Sequence, residues 1–148
     1  MENDILIENI EASWVLPLTH GELGGSYTGR FVFRCYLTPT QQLEAGRDYR
    51  SLLGQYAGMA SDTEAQLSFA LSQLKHRILK APPFWSSTLQ DSGYAGNIGD
   101  LNITSMVLDA AIRSEQLFKE RIQKERDQIL DRTIKVAEET VRKNASEE

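Results

Sequence analysis

The sequence has one cysteine and two histidines among 148 residues, which limits the chemistry open to it. A single thiol, Cys35, cannot form an internal disulfide, and this fits a reducing compartment. One cysteine with two separated histidines, His20 and His76, is far from a zinc-ligand set. Cys35 also falls on the apolar face of a predicted strand, where a thiol behaves as a small hydrophobe. We expect no metal, no cofactor and no thiol nucleophile.

Long apolar runs are also missing. No segment approaches the roughly 20 apolar residues that span a bilayer. The acidic N-terminus, MENDILIENIE, has neither the basic start nor the apolar centre of a secretory signal. The sequence therefore predicts a protein made and kept in the cytoplasm, with no membrane as partner.

Positive charge is in deficit, since the chain carries a net charge of −5. Residues 113–148 hold nine of the 16 basic and nine of the 21 acidic residues, which leaves seven basic and twelve acidic residues before them. The basic residues near Lys119 and Arg126 are interleaved with acidic ones, so we expect no nucleic-acid partner. The glycines fit no phosphate-binding motif between a strand and a helix. No enzyme class is supported.

The first part of the chain alternates apolar and polar residues, as a half-buried strand does. Asp4–Leu16 is predicted to be a strand, or a strand with an irregularity at Glu8, and Pro17–Gly25 is predicted to be a turn-rich connector. The strand that follows then pairs with it antiparallel, the region of Trp14 against that of Phe31. One face of the first strand is predicted to carry Leu6, Ile10, Ala12, Trp14 and Leu16.

Two helices follow this hairpin. Thr38-Pro39 with Gln41 forms a capping box that begins a helix ending at Gly54. Ser61 with Glu64 begins a second helix, which Ala81-Pro82-Pro83 ends. Its apolar stripe is predicted to comprise Leu67, Ala70, Leu71, Leu74 and Ile78.

Residues 84–101 lack periodicity and are interpreted as an ordered crossover. Phe84 and Trp85 are predicted to anchor it in the core, because aromatic residues beside Pro-Pro more often fill a core than stack on a ligand. The alternative is an enzyme site in this loop, near Tyr94.

A long last helix is predicted from Ile103 to Arg142, capped by Asp100 or Asn102. Its first half is apolar as a core helix should be. Its second half has a thin apolar seam among pairs of opposite charge such as Asp131–Lys135, which is typical of a projecting helix that meets a partner helix. The predicted interface residues are Ile122, Ile129, Leu130, Ile134, Ala137 and Val141.

Together these elements predict an α+β fold. An N-terminal antiparallel β-hairpin packs on two helices in a compact domain of residues 1–112. Residues 113–148 form a charged, projecting helical extension.

Three segments resemble small virion and tail-assembly proteins of tailed bacteriophages. They are the strand and helix start Gly29-Arg-Phe-Val-Phe-Arg-Cys-Tyr-Leu-Thr-Pro, the helix end from Leu74 that leads into Ala-Pro-Pro-Phe-Trp at 81–85, and the start of the last helix at Asp100. The resemblance implies a non-enzymatic structural or assembly role in a head, neck or tail, with other phage structural proteins as partners in a homo- or hetero-oligomer. The protein would then move from the host cytoplasm into the virion.

Two other roles are open at this point. One is a tail-assembly chaperone that is not retained in the particle. The other is a cytoplasmic inhibitor or binding module whose acidic domain docks on a host protein.

Overall fold

A computed structural model describes residues 5–22, 24–54, 61–86 and 100–146. The chain divides into two compact units, residues 1–115 and residues 116–148. The first unit holds all strands of the described chain and the shorter helices. The second consists of the C-terminal part of one long helix.

The first unit contains a four-stranded antiparallel sheet with its strands in sequence order. Trp14 lies opposite Phe31, so the predicted hairpin pairing is confirmed. The fold is α+β, as the sequence predicts. The strands are β1 (Ile5–Glu8), β2 (Glu11–His20), β3 (Ser26–Arg34) and β4 (Ile78–Lys80).

The prediction of one strand over Asp4–Leu16 is wrong, because a tight turn at Asn9 and Ile10 divides it. Asn9 has φ 59°, a left-handed conformation that asparagine tolerates better than most residues. The turn folds β1 back onto β2, so Leu6 lies opposite Ser13 and is 70% exposed. Ile10, in the turn, is also exposed. The buried residue of β1 is Ile5 instead.

The connector between β2 and β3 is shorter than predicted, since β2 continues to His20. Pro17 lies inside β2, where the register with β3 shifts between Leu16 and Thr19. Proline lacks an N–H for the ladder, and such an irregularity is where a strand tolerates it.

The helices are α1 (Pro39–Leu53), α2 (Asp62–Arg77), α3 (Pro83–Ser86) and α4 (Leu101–Ser146). The capping box of α1 is confirmed: Gln41 N–H donates to Thr38 Oγ1 at 3.2 Å, and Thr38 N–H donates to Gln41 Oε1 at 3.0 Å. Gly54, with φ 67°, ends α1. Ser61 Oγ caps α2 by accepting from Glu64 N–H at 3.2 Å.

The prediction that α2 continues beyond Arg77 is wrong, because Ile78–Lys80 forms β4. Ile78 lies opposite Phe33, and Lys80 lies opposite Val32. A long-range pairing with β3 thus overrides the local helical pattern, whose stripe had included Ile78.

The core lies between the sheet and the helices. Trp85 is 1% exposed and meets Phe31 edge-on, with ring centroids 5.5 Å apart. Phe84 packs on Tyr27 at 5.0 Å. Trp85 is therefore buried in the core and Phe84 half-buried beside it, where they were predicted to pack. The rest of the predicted crossover, residues 87–99, lies outside the described residues. The buried apolar residues of α4 are Ile103, Val107, Ala110 and Ala111.

Candidate interaction surface

The C-terminal part of α4 carries a continuous apolar face. Successive helical residues are about 100° apart, so uncharged residues of the segment from Ile129 to Val141 share one side about 160° wide. We call this side the apolar face. It consists of Ile129, Leu130, Thr133, Ile134, Val136, Ala137, Thr140 and Val141.

All members of the apolar face are exposed. Among the large side chains the exposed fraction runs from 46% at Ile134 to 68% at Val141. Exposed apolar surface that is continuous, and not scattered singly, indicates a binding surface.

The two threonines do not interrupt this surface with unpaired polar groups. Thr133 Oγ1 donates to the Ile129 carbonyl at 2.9 Å, and Thr140 Oγ1 donates to the Val136 carbonyl at 2.9 Å. Because each hydroxyl donates its proton within the helix, the face can be covered without leaving that donor unpaired.

The other side of the same segment is fully charged. Every residue from Ile129 to Val141 outside the apolar face is acidic or basic, which makes a clear boundary between the two sides. These residues are Asp131, Arg132, Lys135, Glu138 and Glu139.

Of the residues predicted from the sequence, Ile122 lies apart from the others. It is half-buried and lines a shallow cleft with Phe118, Gln123 and Arg126. Arg126 falls between Ile122 and Ile129 on the same side of the helix, so a charge separates them. The remaining five predicted residues lie on the apolar face.

Sequence reasoning missed Val136, which is 62% exposed and lies seven residues after Ile129. The signal that could have found Val136 is its position two helical turns after Ile129. The seam predicted from the sequence instead follows the narrower series Leu130, Ile134, Ala137 and Val141, which covers only one side of the apolar face.

A second exposed surface is the open side of the sheet. A shallow cleft there is lined by Leu6, Glu8, Glu11, Arg30 and Val32, among others. Charges of both signs interrupt its apolar residues, so it offers less continuous apolar area than the apolar face of α4.

Three titratable residues of the first unit, Asp48, Lys75 and His76, make a structural contact between two helices. His76 Nε2 lies 2.7 Å from Asp48 Oδ2, and Lys75 Nζ lies 3.3 Å from the same oxygen, which ties α2 to α1. Burial raises the pKa of Asp48, but the contacts with His76 and Lys75 outweigh it and hold this pKa below its usual value.

Three other side chains were considered for chemistry from the sequence: His20, Cys35 and Tyr94. His20 Nδ1 lies 2.7 Å from Ser26 Oγ at an exposed hairpin end, and Cys35 is fully buried. Tyr94, the residue named for an enzyme site, lies outside the described residues. Within residues 5–22, 24–54, 61–86 and 100–146, no group of three or more histidine, cysteine or acidic side chains could hold a metal ion.

Among the helices of the described residues, none carries an apolar run of the length that a bilayer requires.

Comparison of the chain with protein-family models, with curated proteins and with solved structures finds no match.

Proposed function

We propose that this protein is a non-enzymatic structural or assembly protein of a tailed bacteriophage, a head, neck or tail component that acts through protein–protein contacts. The observation that carries the proposal is the exposed apolar face of α4 between Ile129 and Val141. A helix with one apolar side and one charged side is a common means of binding another helix.

The size of the apolar face favours assembly over a single tight complex. Burying one large apolar side chain fully contributes roughly 1.5–3 kcal/mol, and the five such side chains of one helix, which start about half exposed, contribute on the order of 4–8 kcal/mol. Loss of translational and rotational freedom costs roughly 4–15 kcal/mol. One contact is therefore weak, and several repeated contacts would hold together by avidity.

The phage setting comes from the three segments that resemble virion and tail-assembly proteins. All three, Gly29–Pro39, the region around Pro82–Trp85 and the start of α4 at Asp100, form parts of the packed first unit. They support the setting through the sequence resemblance, while the apolar face supports the mode of action.

The test uses the full-length chain as bait in extracts of phage-infected cells. We compare the natural chain with Ile134→Asp, which places a charge on the apolar face, and with Gln128→Asp, a matched control that adds the same charge on the opposite side. We expect phage particle proteins to be retained by the natural chain and by Gln128→Asp and to be lost with Ile134→Asp. Capture of the same proteins by all three chains would contradict the role of the apolar face.

Mass spectrometry of purified particles tests the location. A structural component should be present in the particle at a constant number of copies. Its absence from particles, with the captured partners unchanged, would replace the structural role with that of a transient chaperone. Capture of host proteins alone would overturn the phage assignment.

A further inference from the structure

The charged residues beside the apolar face differ between its two borders. Beyond Ile134 lies a border with only acidic residues, which we call the acidic flank: Asp127, Asp131 and Glu138. Beyond Val136 lies a border that we call the Arg132 flank: Arg132, Glu139 and Lys143.

The net charges of the flanks have opposite signs. The acidic flank carries three negative charges and therefore −3. The Arg132 flank carries two positive charges and one negative charge, 2 − 1, and therefore +1. The net charge thus changes sign across the helix, and the apolar face lies between a negative border and a positive border.

This asymmetry distinguishes the two ways in which copies of the helix can pair. In a parallel arrangement related by rotation about the bundle axis, the acidic flank of one helix faces the Arg132 flank of the next. In an antiparallel two-fold arrangement each flank faces its own copy, so −3 meets −3. Opposite charges at the borders select orientation, as they do in coiled coils.

The apolar residues fit the same arrangement. With Leu130 and Ala137 at d positions, Ile134 and Val141 fall at a positions, so these four residues form one seam at heptad spacing. Ile129 and Val136 extend the face beyond this seam, so that one helix has enough apolar surface for two neighbours.

We infer that the occupant of the apolar face is the same face of other copies of this chain, lying parallel and in register. This inference rests on the proposed function in using the apolar face as the contact surface. It adds that the partner is the chain itself and that the acidic flank of one copy meets the Arg132 flank of the next.

Cysteine cross-linking of the full-length protein tests the orientation. Leu130→Cys and Val141→Cys lie eleven residues apart, about 16 Å along the helix. In a parallel, in-register bundle each variant forms disulfide-linked dimers by itself under mild oxidation. Lys135→Cys, on the charged side, is the matched control and should remain unlinked, as should the natural chain, whose Cys35 is buried.

An antiparallel pairing gives a different pattern. Neither single variant then forms disulfide-linked dimers by itself. A mixture of the two instead forms a disulfide between a Leu130→Cys chain and a Val141→Cys chain. That pattern would overturn the inference, as would the absence of any cross-link.

Light scattering of the purified protein supplies the second readout. We expect a mass above that of one chain in a concentration series from about 10 μM to about 1 mM, falling to one chain with Ile134→Asp but not with Gln128→Asp. A single-chain mass throughout would overturn self-association. It would leave the proposed function intact if phage proteins are still captured through the apolar face, so the two failures can be told apart.

Charge reversal tests the flanks. Arg132→Glu changes the Arg132 flank from +1 to −1 and should weaken self-association several-fold at low salt, with a smaller effect at high salt. Adding Glu138→Arg changes the acidic flank from −3 to −1, so the repulsion between the flanks falls and part of the lost association should return. Equal association of the single and double variants would overturn the assignment of the flanks.

Discussion

The Asp100 carboxylate lies directly against the Cα of Gly21, so that the connector after β2 and the start of α4 touch with no space for a side chain. A Cβ at position 21 would overlap Asp100 Oδ2 and would also approach a ring carbon of Tyr27 to 3.0 Å. The other carboxylate oxygen, Oδ1, accepts the Ile103 N–H at 3.1 Å and caps α4. Position 21 therefore requires glycine, because a Cβ there would overlap the Asp100 carboxylate.

Gly21→Ala should lower the free energy of unfolding by about 1–3 kcal/mol, because the added methyl group must displace a buried carboxylate or the backbone. Urea denaturation measures the change. Gly46→Ala in α1 is the control, since its Cβ would meet only Arg50 Nη1 at an ordinary 3.5 Å. It should leave stability unchanged or raise it by roughly 0.5–1 kcal/mol.

A double-mutant cycle tests whether Asp100 is the cause. Asp100→Ala alone should cost about 0.5–2 kcal/mol through loss of the cap. In that background Gly21→Ala should cost less than it does in the natural protein, because Oδ2 is no longer there to clash. Additive losses, measured by the same denaturation, would show that Tyr27 or the backbone sets the limit instead.

Acid should weaken the contact between α1 and α2 through Asp48. The pKa of Asp48 is lower in the folded protein than its ordinary value of 3.8, so folding stabilises its charged form. This contribution is complete above the unfolded pKa and is lost as the pH falls through the folded pKa. The difference in unfolding free energy between the natural protein and Asp48→Asn should therefore shrink below about pH 4.

Calorimetry between about pH 6 and pH 2 measures this dependence. Glu44→Gln is the control, because Glu44 is half exposed and lies 3.8 Å from His76 Nδ1. It should change the profile little. A constant difference between the natural protein and Asp48→Asn across this range would contradict the role of the Asp48 charge.

Val136→Asp should weaken self-association at least about tenfold, as Ile134→Asp does, because either change buries an unpaired charge at the contact. Sedimentation equilibrium gives the constants. If Val136→Asp has no effect while Ile134→Asp does, the contact is confined to the narrow seam that the sequence pattern indicated, and Val136 lies outside it.

Local chemistry explains which parts of the fold the sequence could predict. The capping box of Thr38 and Gln41 and the terminal Gly54 act within a few residues, and each defines a helix end where it was expected. Alternation of apolar and polar residues likewise predicted the hairpin that pairs Trp14 with Phe31. Such signals need no knowledge of the remaining chain.

Features that depend on distant residues could not be predicted in this way. β4 exists because Ile78 and Lys80 meet β3, and nothing within three residues of sequence distinguishes them from a helix end. The contact of Gly21 with Asp100 joins residues far apart in the chain. The sequence around Asn9 does not by itself distinguish a β-bulge from a tight turn, since both favour similar residues. Val136 is different: its spacing from Ile129 is a local signal, but the narrower series from Leu130 to Val141 does not include it.

The strand lengths bear on how the protein behaves when it is concentrated. The outer strands β1 and β4 have four and three residues, whereas the inner strands β2 and β3 have ten and nine. A sheet with such short borders offers little backbone to a strand from another molecule, and this protects against fibrous aggregation. High local concentrations, such as those within an assembling structure, should therefore be tolerated without β-sheet polymerisation.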